Sequence, residues 1–415
     1  MKQYVIIGNG VAAVGCIEGI RSIDPNGKIT VVSEEEHPVY CRPLISYYLE
    51  GKTDLQRMDY RGADFYEKMG CDVLYGKTAV KIDSDEKNVL LDDGTVLPYT
   101  AVCVAAGSSP FIPPMEGLET VENKFSFMTL DDALQLAAAV GKDSRVLIIG
   151  AGLIGLKCAE GLRDRVASIT VCDLADRVLS SILDNECAAV MQAHLEANGI
   201  GFMLSDTAER FDGNRAFMKS GKTADFDVLV LAVGVRANTA LVKDIGGEVN
   251  RGILVDDRMR TSIPDVYAAG DCTEGEDISL GKKRVLAILP NAYMQGDCAG
   301  VNMAGGNKEF HKGIPMNSIG FFGLHAMSAG SYWSEDENGQ VYEEKTDGKL
   351  KRLFVRDGCL TGFILIGETE RAGIYTSLIR EKTPLETIDF EMLKKVATSA
   401  VFSSEIRRKK FGGVV

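Results

Sequence analysis

Apolar runs of strand length recur along most of the chain, and several of them end at a glycine turn. The first run covers residues 4–7, a helical stretch continues to about Ile23, and a second strand covers residues 29–33. Residues 145–173 repeat this order of strand, glycine turn, helix and strand. Short, continuous apolar runs are typical of strands buried on both faces of a parallel sheet. The pattern therefore predicts an α/β chain with two βαβ units.

The first unit carries a glycine motif of the kind that binds a dinucleotide. It reads Gly8-x-Gly10-x-x-Ala13, and the second strand is followed by Glu34. Gly8 allows a tight turn, Gly10 lets the backbone approach a pyrophosphate, and the helix N-terminus offers N–H groups to phosphates. We expect Ala13 and Gly15 to let the helix pack close to the sheet, and Glu34 to accept hydrogen bonds from a ribose. The order of these parts favours a dinucleotide site over a plain βαβ unit with packing glycines.

The second unit has the same parts and predicts a second dinucleotide site. Gly150-x-Gly152-x-x-Gly155 follows a strand and opens a helix, and Asp173 ends the next strand. A carboxylate at that position repels the 2′-phosphate of NADPH, so Asp173 favours NADH. Arg177 lies nearby and argues in the other direction, since an arginine in this region can accept a phosphate.

Length, charge and cysteine usage limit the class of protein. A chain of 415 residues suits two or three domains. The net charge of −13 argues against a nucleic-acid partner, and strand-sized apolar runs argue against a membrane span. The N-terminus "MKQYVIIGNG" enters a strand at once, without a signal peptide. The 10 cysteines show no CxxC or Cys/His spacing, which predicts no metal site and reduced thiols in the cytoplasm.

Three further segments complete a pattern that resembles a known family. "AVCVAAGSSP" (101–110) and "DVLVLAVGVRAN" (227–238) are strands that end in a glycine turn, and "IPDVYAAGDC" (263–272) ends in Gly270-Asp271. Over roughly residues 1–310 the chain resembles the pyridine nucleotide–disulfide oxidoreductases, two-dinucleotide-fold flavoproteins. The resemblance implies that the first motif binds FAD, the second binds NAD(P)H, and Asp271 holds the ribityl chain of FAD.

The resemblance also implies a set of cofactor-binding residues and a domain plan. The expected FAD contacts are Gly8, Gly10, Ala12, Ala13, Glu34, Arg42, Pro43, Ala106, Gly107 and Asp271, and the expected NADH contacts are Gly150, Gly152, Leu153, Ile154, Gly155, Asp173 and Gly234. The implied fold is α/β, glutathione-reductase-like, with two Rossmann-like domains and a small α+β C-terminal domain. The FAD domain would use residues 1–110 and 241–310, the NADH domain 111–240, and the C-terminal domain 311–415. In the last part, 317–324, 349–358 and 359–368 read as strands and 368–382 as a helix.

The segment "EEEHPVYCRPLISYYLEGK" (34–52) is informative because it holds only one cysteine, Cys41. Disulfide reductases of the family carry a CxxxxC pair here, and that pair is missing. The segment is more similar to NADH:rubredoxin reductases and to the flavin region of NADH-dependent nitrite reductases. By that resemblance Arg42-Pro43 lies along the FAD, and Cys41 is a spectator that lines the site. A redox role would need a thiol with a lowered pKa.

Two positions depart from the related ferredoxin reductases where hydride would pass. Tyr47 replaces a lysine near flavin N5, and Lys157 replaces a glutamate near the nicotinamide. We take both as candidate catalytic residues. The alternative for Lys157 is a helix lysine that points into solvent.

The sequence therefore predicts an NADH-dependent flavoprotein reductase that passes electrons to rubredoxin, a ferredoxin-like protein or another iron–sulfur protein. A second hypothesis is an NADH oxidase, peroxidase or small disulfide reductase that uses Cys41. A third is an FAD-containing electron-input subunit of a larger redox complex, and a homodimer is also compatible with the sequence. The basic tail, residues 405–415, either docks an acidic electron carrier or is a solvated chain end.

Overall fold

The computed structural model describes residues 1–311, 313–332, 339–346 and 348–411. The elements of the first part are β1 (Gln3–Ile7), α1 (Val11–Ile23), β2 (Lys28–Ser33), α2 (Ile45–Glu50), α3 (Phe65–Lys68), β3 (Cys71–Tyr75), β4 (Ala79–Asp83), β5 (Asn88–Leu91), β6 (Val96–Pro98), β7 (Ala101–Val104) and β8 (Ser108–Pro110). The next part contains β9 (Lys124–Phe125), α4 (Leu130–Ala139), β10 (Arg145–Ile149), α5 (Leu153–Leu162), β11 (Ser168–Asp173), α6 (Asn185–Ala197), β12 (Ile200–Leu204), β13 (Ala208–Asp212), β14 (Arg215–Met218), β15 (Thr223–Asp225), β16 (Val228–Leu231) and β17 (Val235–Ala237).

The chain continues with α7 (Ala240–Lys243), β18 (Ile253–Leu254), β19 (Val266–Ala268), β20 (Thr273–Asp277), β21 (Lys282–Arg284) and α8 (Leu289–Met303). The last part contains β22 (Met316–Phe321), β23 (Leu324–Gly330), β24 (Gly339–Thr346), β25 (Lys349–Arg356), β26 (Cys359–Ile366), α9 (Gly373–Arg380), α10 (Phe390–Lys395) and α11 (Ser404–Phe411). Residues 412–415 of the basic tail lie outside the described residues.

Two parallel sheets form the body of the molecule, and the predicted α/β class is confirmed. One has the strand order β19-β7-β1-β2-β3, so a strand from beyond residue 260 returns to the first unit. The other has the order β12-β11-β10-β16-β9. Their central strands are buried almost throughout, as expected for strands covered on both faces. Both sheets therefore end their strands at the edge where the glycine turns lie.

Helices α1 and α8 cross at very short range because each carries two glycines at the contact. A Cβ at Gly15 would overlap the carbonyl oxygen of Tyr293, and one at Gly296 would overlap that of Ala12. Gly300 meets α1 in the same way. The expectation that Gly15 packs against the sheet is therefore wrong, since Gly15 faces α8. Ala13 is fully buried in the core of the first unit.

The last part is an antiparallel sheet with the order β22-β23-β26-β25-β24. The predicted strand 317–324 is split by a tight turn, in which Phe322 has φ +46° and Gly323 has φ +87°. Positive φ at both central residues is the geometry that suits a two-residue hairpin. The predicted helix 368–382 is shorter, because α9 covers only Gly373–Arg380. Among the residues that the structure describes, no helix has the length and apolar character needed to cross a bilayer.

Candidate dinucleotide sites

The first glycine motif has the geometry that its residues predict. Gly8 has φ +109°, its N–H donates to the carbonyl of Val32 over 2.8 Å, and a Cβ there would overlap the carbonyl of Ala105. Only glycine fits such a position. Gly10 is the N-cap of α1, and a Cβ at Gly10 would meet no atom within 4 Å. The first turn of α1 therefore faces open space, which a phosphate group can occupy.

That open space is part of a cavity of about 990 Å³. Its volume lies at the upper end of the usual range for ligand pockets and suits a dinucleotide. Eight of the predicted FAD contacts line it, namely Gly8, Gly10, Ala12, Glu34, Arg42, Ala106, Gly107 and Asp271. Two do not: Ala13 is buried in the core, and Pro43 is exposed at a 3₁₀ turn. The residues from four distant segments thus meet in one place.

Asp271 and Arg42 supply opposite charges to the cavity. Burial raises the pKa of Asp271 above its usual value, and the charge of Arg42 opposes that rise. Arg42 donates to the Glu35 carboxylate over 2.8 Å and to the carbonyl of Met128 over 2.9 Å. Within the described residues, no hydrogen bond to the Asp271 carboxylate is formed. A partly buried carboxylate without donors favours a ligand that carries hydroxyl groups.

The wall of the cavity includes side chains that the sequence analysis missed. Tyr40 donates to Glu35 over 2.7 Å and accepts from the N–H of Leu130 over 2.9 Å. His37 lies 2.8 Å from Asp131, and both line the cavity. The loop after β2 is therefore bonded to the first turn of α4, more than 85 residues further along the chain. The only sequence signal was the run of polar and aromatic residues between two predicted elements.

The second glycine motif repeats the geometry of the first. Gly150 has φ +117°, donates to the carbonyl of Cys172 over 2.7 Å, and leaves no room for a Cβ beside Ala232. A Cβ at Gly155 would overlap the carbonyl of Gly150, whereas one at Gly152 would meet no atom within 4 Å. Gly152 is the N-cap of α5, so this helix also presents an open N-terminus. Of the other predicted contacts, Leu153 and Ile154 form the first turn of α5, and Gly234 follows β16 with φ +118°.

Asp173 lies at the end of β11, where its carboxylate is held by the backbone. One oxygen accepts from the N–H of Ala151 over 2.6 Å, and the other accepts from the N–H of Ala175 over 2.8 Å. The guanidinium of Arg177 is paired with Asp176 over 2.8 Å. The arginine whose charge argued for NADPH therefore already has a carboxylate partner.

Lys157 and Tyr47, the candidate catalytic residues, lie next to each other. The Nζ atom of Lys157 is 5.1 Å from the centre of the Tyr47 ring and donates to the carbonyl of Gly320 over 3.1 Å. Lys157 also forms an ion pair with Glu160, which is buried. The side chain of Lys157 is only 18% exposed, so the solvent-facing alternative is wrong. Neither residue lines the cavity of the first motif.

Cys41 precedes the turn that carries Arg42 but does not line the cavity, so the expectation that it lines the site is wrong. Its N–H donates to the carbonyl of Met58 over 2.7 Å. Burial raises the pKa of the Cys41 thiol, which disfavours the reactive thiolate. All 10 cysteines are free.

One surface cluster has the donor types of a metal site. Asp257, Glu309 and His311 each place one ligand atom within 4.8 Å of the others, and all three are exposed. His311 lies 3.0 Å from Glu309, and that hydrogen bond raises the pKa of His311. Arg258 also pairs with Glu309, over 3.2 Å. These ion pairs account for the cluster without a metal ion.

Two family models match the chain. Residues 2–296 match the pyridine nucleotide-disulphide oxidoreductase family, and residues 315–383 match the rubredoxin NAD+ reductase C-terminal domain. The first match ends within α8, and the second begins directly before β22.

Known proteins resemble the chain over most of its length. It is 34% identical to the NADH-dependent phenylglyoxylate dehydrogenase subunit epsilon of Aromatoleum evansii over 394 residues, 92% of each chain. It is 31% identical to a nitrite reductase [NAD(P)H] of Bacillus subtilis over 96% of this chain, but spans 50% of that protein. Among solved structures, an NAD-dependent persulfide reductase from A. fulgidus superposes with a TM-score of 0.84 at 26% identity, covering 93% of this chain and 78% of that one.

Proposed function

The chain belongs to the pyridine nucleotide-disulphide oxidoreductase family, and on that premise we propose that it is an NADH-dependent FAD reductase that serves an iron–sulfur or rubredoxin-type acceptor protein. The observation that carries the proposal is the repeated glycine geometry. Gly8 and Gly150 make the same turn, and Gly10 and Gly152 open the same space at a helix N-terminus. The chain therefore has two sites at which a dinucleotide can bind.

FAD fits the first site by its chemistry as well as its size. Backbone N–H groups at the start of α1 would hold the pyrophosphate, Glu34 the ribose, and Asp271 the hydroxyl-bearing ribityl chain. When bound, FAD supplies the conversion of a two-electron hydride into single electrons. The residues of the chain bind and orient the cofactor and exclude water.

NADH fits the second site better than NADPH. Asp173 is fixed by two backbone N–H groups, so its carboxylate is ready to accept from the ribose hydroxyls. The same charge would repel a 2′-phosphate, and Arg177 is already paired with Asp176. We therefore assign NADH as the electron donor, with NADPH a poorer substrate.

We propose a separate protein as the acceptor, because none of the 10 cysteines, all of which lie in the described part of the chain, lines the cavity. Cys41 lies outside the cavity lining and its thiol pKa is raised. The match of residues 315–383 to a rubredoxin NAD+ reductase C-terminal domain supports a rubredoxin-type partner. Tyr47 and Lys157 stay candidate catalytic residues, since their side chains are neighbours, although neither lines the cavity. The free cysteines support a cytoplasmic location.

The proposed domain plan follows the sheets. An FAD domain would comprise residues 1–110 and 241–310, an NADH domain 111–240, and a C-terminal domain 311–415. The participation of β19 in the sheet of β1 supports the return of the chain to the first domain.

A second candidate function is that of an electron-input subunit in a larger complex. The resemblance to a dehydrogenase subunit epsilon over 92% of both chains favours it. In that case the chain would receive electrons from, or pass them to, iron–sulfur subunits bound to it. Co-purification of such subunits from the native host would support this candidate, and isolation of an active single chain would exclude it.

Anaerobic titration with NADH tests the proposed function. The purified protein should contain about one FAD per chain and take up about two electrons per FAD, as flavin alone requires. NADH should then reduce added rubredoxin, and Cys41→Ser should leave that rate unchanged.

Uptake of about four electrons, lost in Cys41→Ser together with turnover, would instead identify a redox-active sulfur centre. The oxidase, peroxidase or disulfide-reductase hypothesis would then replace the proposal. A colourless protein that takes up no FAD on reconstitution would contradict the assignment entirely.

A further inference from the structure

Two side chains of the C-terminal part, Tyr332 after β23 and Arg352 on β25, contact the segment that follows Asp173. We define the coenzyme loop as residues 174–184, between β11 and α6. Tyr332 donates from Oη to the carbonyl oxygen of Ser181 in this loop, over 2.6 Å. Arg352, on β25, lies 2.9 Å from Asp184, the last residue of the loop. Both contacts join residues more than 150 positions apart, so neither could be predicted from the local sequence pattern.

The near half of the coenzyme loop is held by the dinucleotide site itself. Ala175 donates to the Asp173 carboxylate, and the N–H of Leu179 donates to the carbonyl of Ala151 over 2.9 Å, inside the glycine motif. Leu179 has φ +52°, a conformation that a leucine keeps only when its neighbours impose it. A shift of the far half of the loop would therefore reach Asp173 and the glycine motif through a few residues.

The far half of the loop is held from outside the site. The Asp184 side chain caps α6 by accepting from the N–H of Cys187 over 3.0 Å. Its other carboxylate oxygen lies beside the Nε of Arg352 as an ion pair without hydrogen-bond alignment. Arg352 also lies 3.1 Å from Glu186 and 2.9 Å from Glu343, and its side chain is only 16% exposed. One guanidinium thus ties the first turn of α6 to the C-terminal sheet.

Tyr332 is directed to the loop by a rigid stretch of backbone. Gly330 has φ +74°, and a Cβ there would overlap the carbonyl of Thr361. Ser331 donates from its N–H to that same carbonyl over 2.9 Å, and Gly362 leaves room for the carbonyl of Ser331. The backbone before Tyr332 is therefore packed against β26, which fixes the point from which the Tyr332 side chain extends to Ser181.

We propose that Tyr332 and Arg352 are positioning residues for NADH. They hold the coenzyme loop so that Asp173 faces the ribose and Arg177 stays paired with Asp176, which sets both the affinity for NADH and the preference over NADPH. The inference rests on the proposed function, because it takes the second glycine motif as the NADH site. It gives the C-terminal domain a part in coenzyme binding, in addition to any contact with an acceptor.

Stopped-flow reduction of the FAD-loaded protein tests the proposal. Tyr332→Phe removes one hydrogen bond and should raise the dissociation constant for NADH about two- to tenfold. Arg352→Met leaves the carboxylates without their partner and should have the larger effect, about tenfold or more. Arg352→Lys keeps the charge but loses the fork of donors, so it should fall between wild type and Arg352→Met.

The limiting rate of flavin reduction at saturating NADH should stay within about twofold of wild type, because the geometry of the bound coenzyme is restored on binding. The ratio of NADH to NADPH affinity should fall in the same variants. Tyr342→Phe is the matched control, since its hydroxyl donates to Gln340 on the same sheet over 2.7 Å and does not reach the loop. It should behave as wild type.

Wild-type affinity for NADH in Tyr332→Phe would overturn the proposal, and so would a lowered limiting rate with an unchanged dissociation constant. FAD content equal to wild type shows that each variant is folded. If Arg352→Met loses FAD, Arg352→Lys and Tyr332→Phe decide the question. Failure of the wild-type protein itself to be reduced by NADH would contradict the proposed function instead, so the two failures are distinguishable.

Discussion

Asp173 is the residue that the proposed coenzyme preference depends on, and its replacement gives a direct test. Asp173→Ala removes an acceptor for the ribose hydroxyls and the repulsion of a 2′-phosphate. The ratio of kcat/KM for NADH over NADPH should fall by about tenfold or more. Asp173→Asn is the shape-matched control, because it removes the charge but keeps an acceptor for Ala151 or Ala175. An unchanged ratio in both variants would mean that Asp173 does not contact the ribose.

We expect Asp271 to make FAD binding dependent on pH. In the FAD-free protein, burial raises the pKa of Asp271 above the usual 3.8. The contribution of Asp271 to the free energy of unfolding is therefore largest at low pH, where the carboxyl group is protonated, and is lost as the pH rises through the raised pKa. Ribityl hydroxyls would donate to the carboxylate and lower that pKa, so FAD binding should release a proton. FAD affinity should therefore weaken on acidification, by up to about tenfold per pH unit just above the usual range of aspartate.

The FAD dissociation constant, measured between about pH 4 and about pH 7, checks this dependence. Asp271→Asn should bind FAD more weakly at neutral pH and show a flat profile. A slope that persists in Asp271→Asn would show that Asp271 is not the group responsible for the pH dependence.

At the scale of elements, the contact between α1 and α8 lies beside the cavity, because Gly296 of α8 packs on Ala12, which lines it. Gly296→Ala would place a Cβ on the carbonyl of Ala12, in the first turn of α1. Backbone cannot move aside as a flexible side chain does, so we expect a loss of about 1–3 kcal/mol in the free energy of unfolding. Urea unfolding of the FAD-free protein measures it.

Gly10→Ala is the matched control for this change. Its φ of −92° suits alanine, and the new Cβ meets no protein atom within 4 Å. The FAD-free variant should keep wild-type stability but bind FAD more weakly, since the methyl group enters the space of the phosphates. Equal losses of stability in both variants would show that the helix contact is not the reason for Gly296.

The elements that the sequence predicted well are those that repeat a local rule. The strands before Gly8 and Gly150 are continuous apolar runs, and the helices after them begin directly after the second glycine of each motif. The partner of Gly15 could not be predicted in this way, because α8 lies about 280 residues further along the chain. A small residue in a helix indicates that another segment packs closely against it, but only the fold shows which segment that is.

In the candidate site, too, features set by local sequence were predicted, whereas contacts between distant segments were not. Gly8, Gly10, Gly107 and Asp271 meet in one cavity because each follows a parallel strand or precedes the next helix. Lys157 has a partner that no local pattern indicates, the carbonyl of Gly320 in the C-terminal hairpin. Tyr40 was missed because its role is to accept from Leu130, a contact between separate segments.

At the scale of the whole molecule, the cavity is shared by parts that are distant in sequence, so removal of FAD should affect more than the first glycine motif. Gly8 and Asp271 come from the first sheet, whereas Met128 and Asp131 come from the start of α4. The loop after β2 lines the cavity and bonds to α4 through Tyr40. A ligand that binds only the folded state stabilises it by about 2.7 kcal/mol at a hundred times its dissociation constant.

The FAD-free protein should therefore melt at a lower temperature, and its amide hydrogens should exchange faster in two places, the first turn of α1 and the first turn of α4. Helix α6 serves as the internal reference, because none of its residues, Asn185–Ala197, lines the cavity. Hydrogen exchange followed by mass spectrometry distinguishes these segments, and added FAD should restore the protection. Faster exchange in α1 alone would show that α4 is held independently of the cofactor. A uniform increase that includes α6 would show that the molecule unfolds as one unit, with no separate link between the cavity and the start of α4.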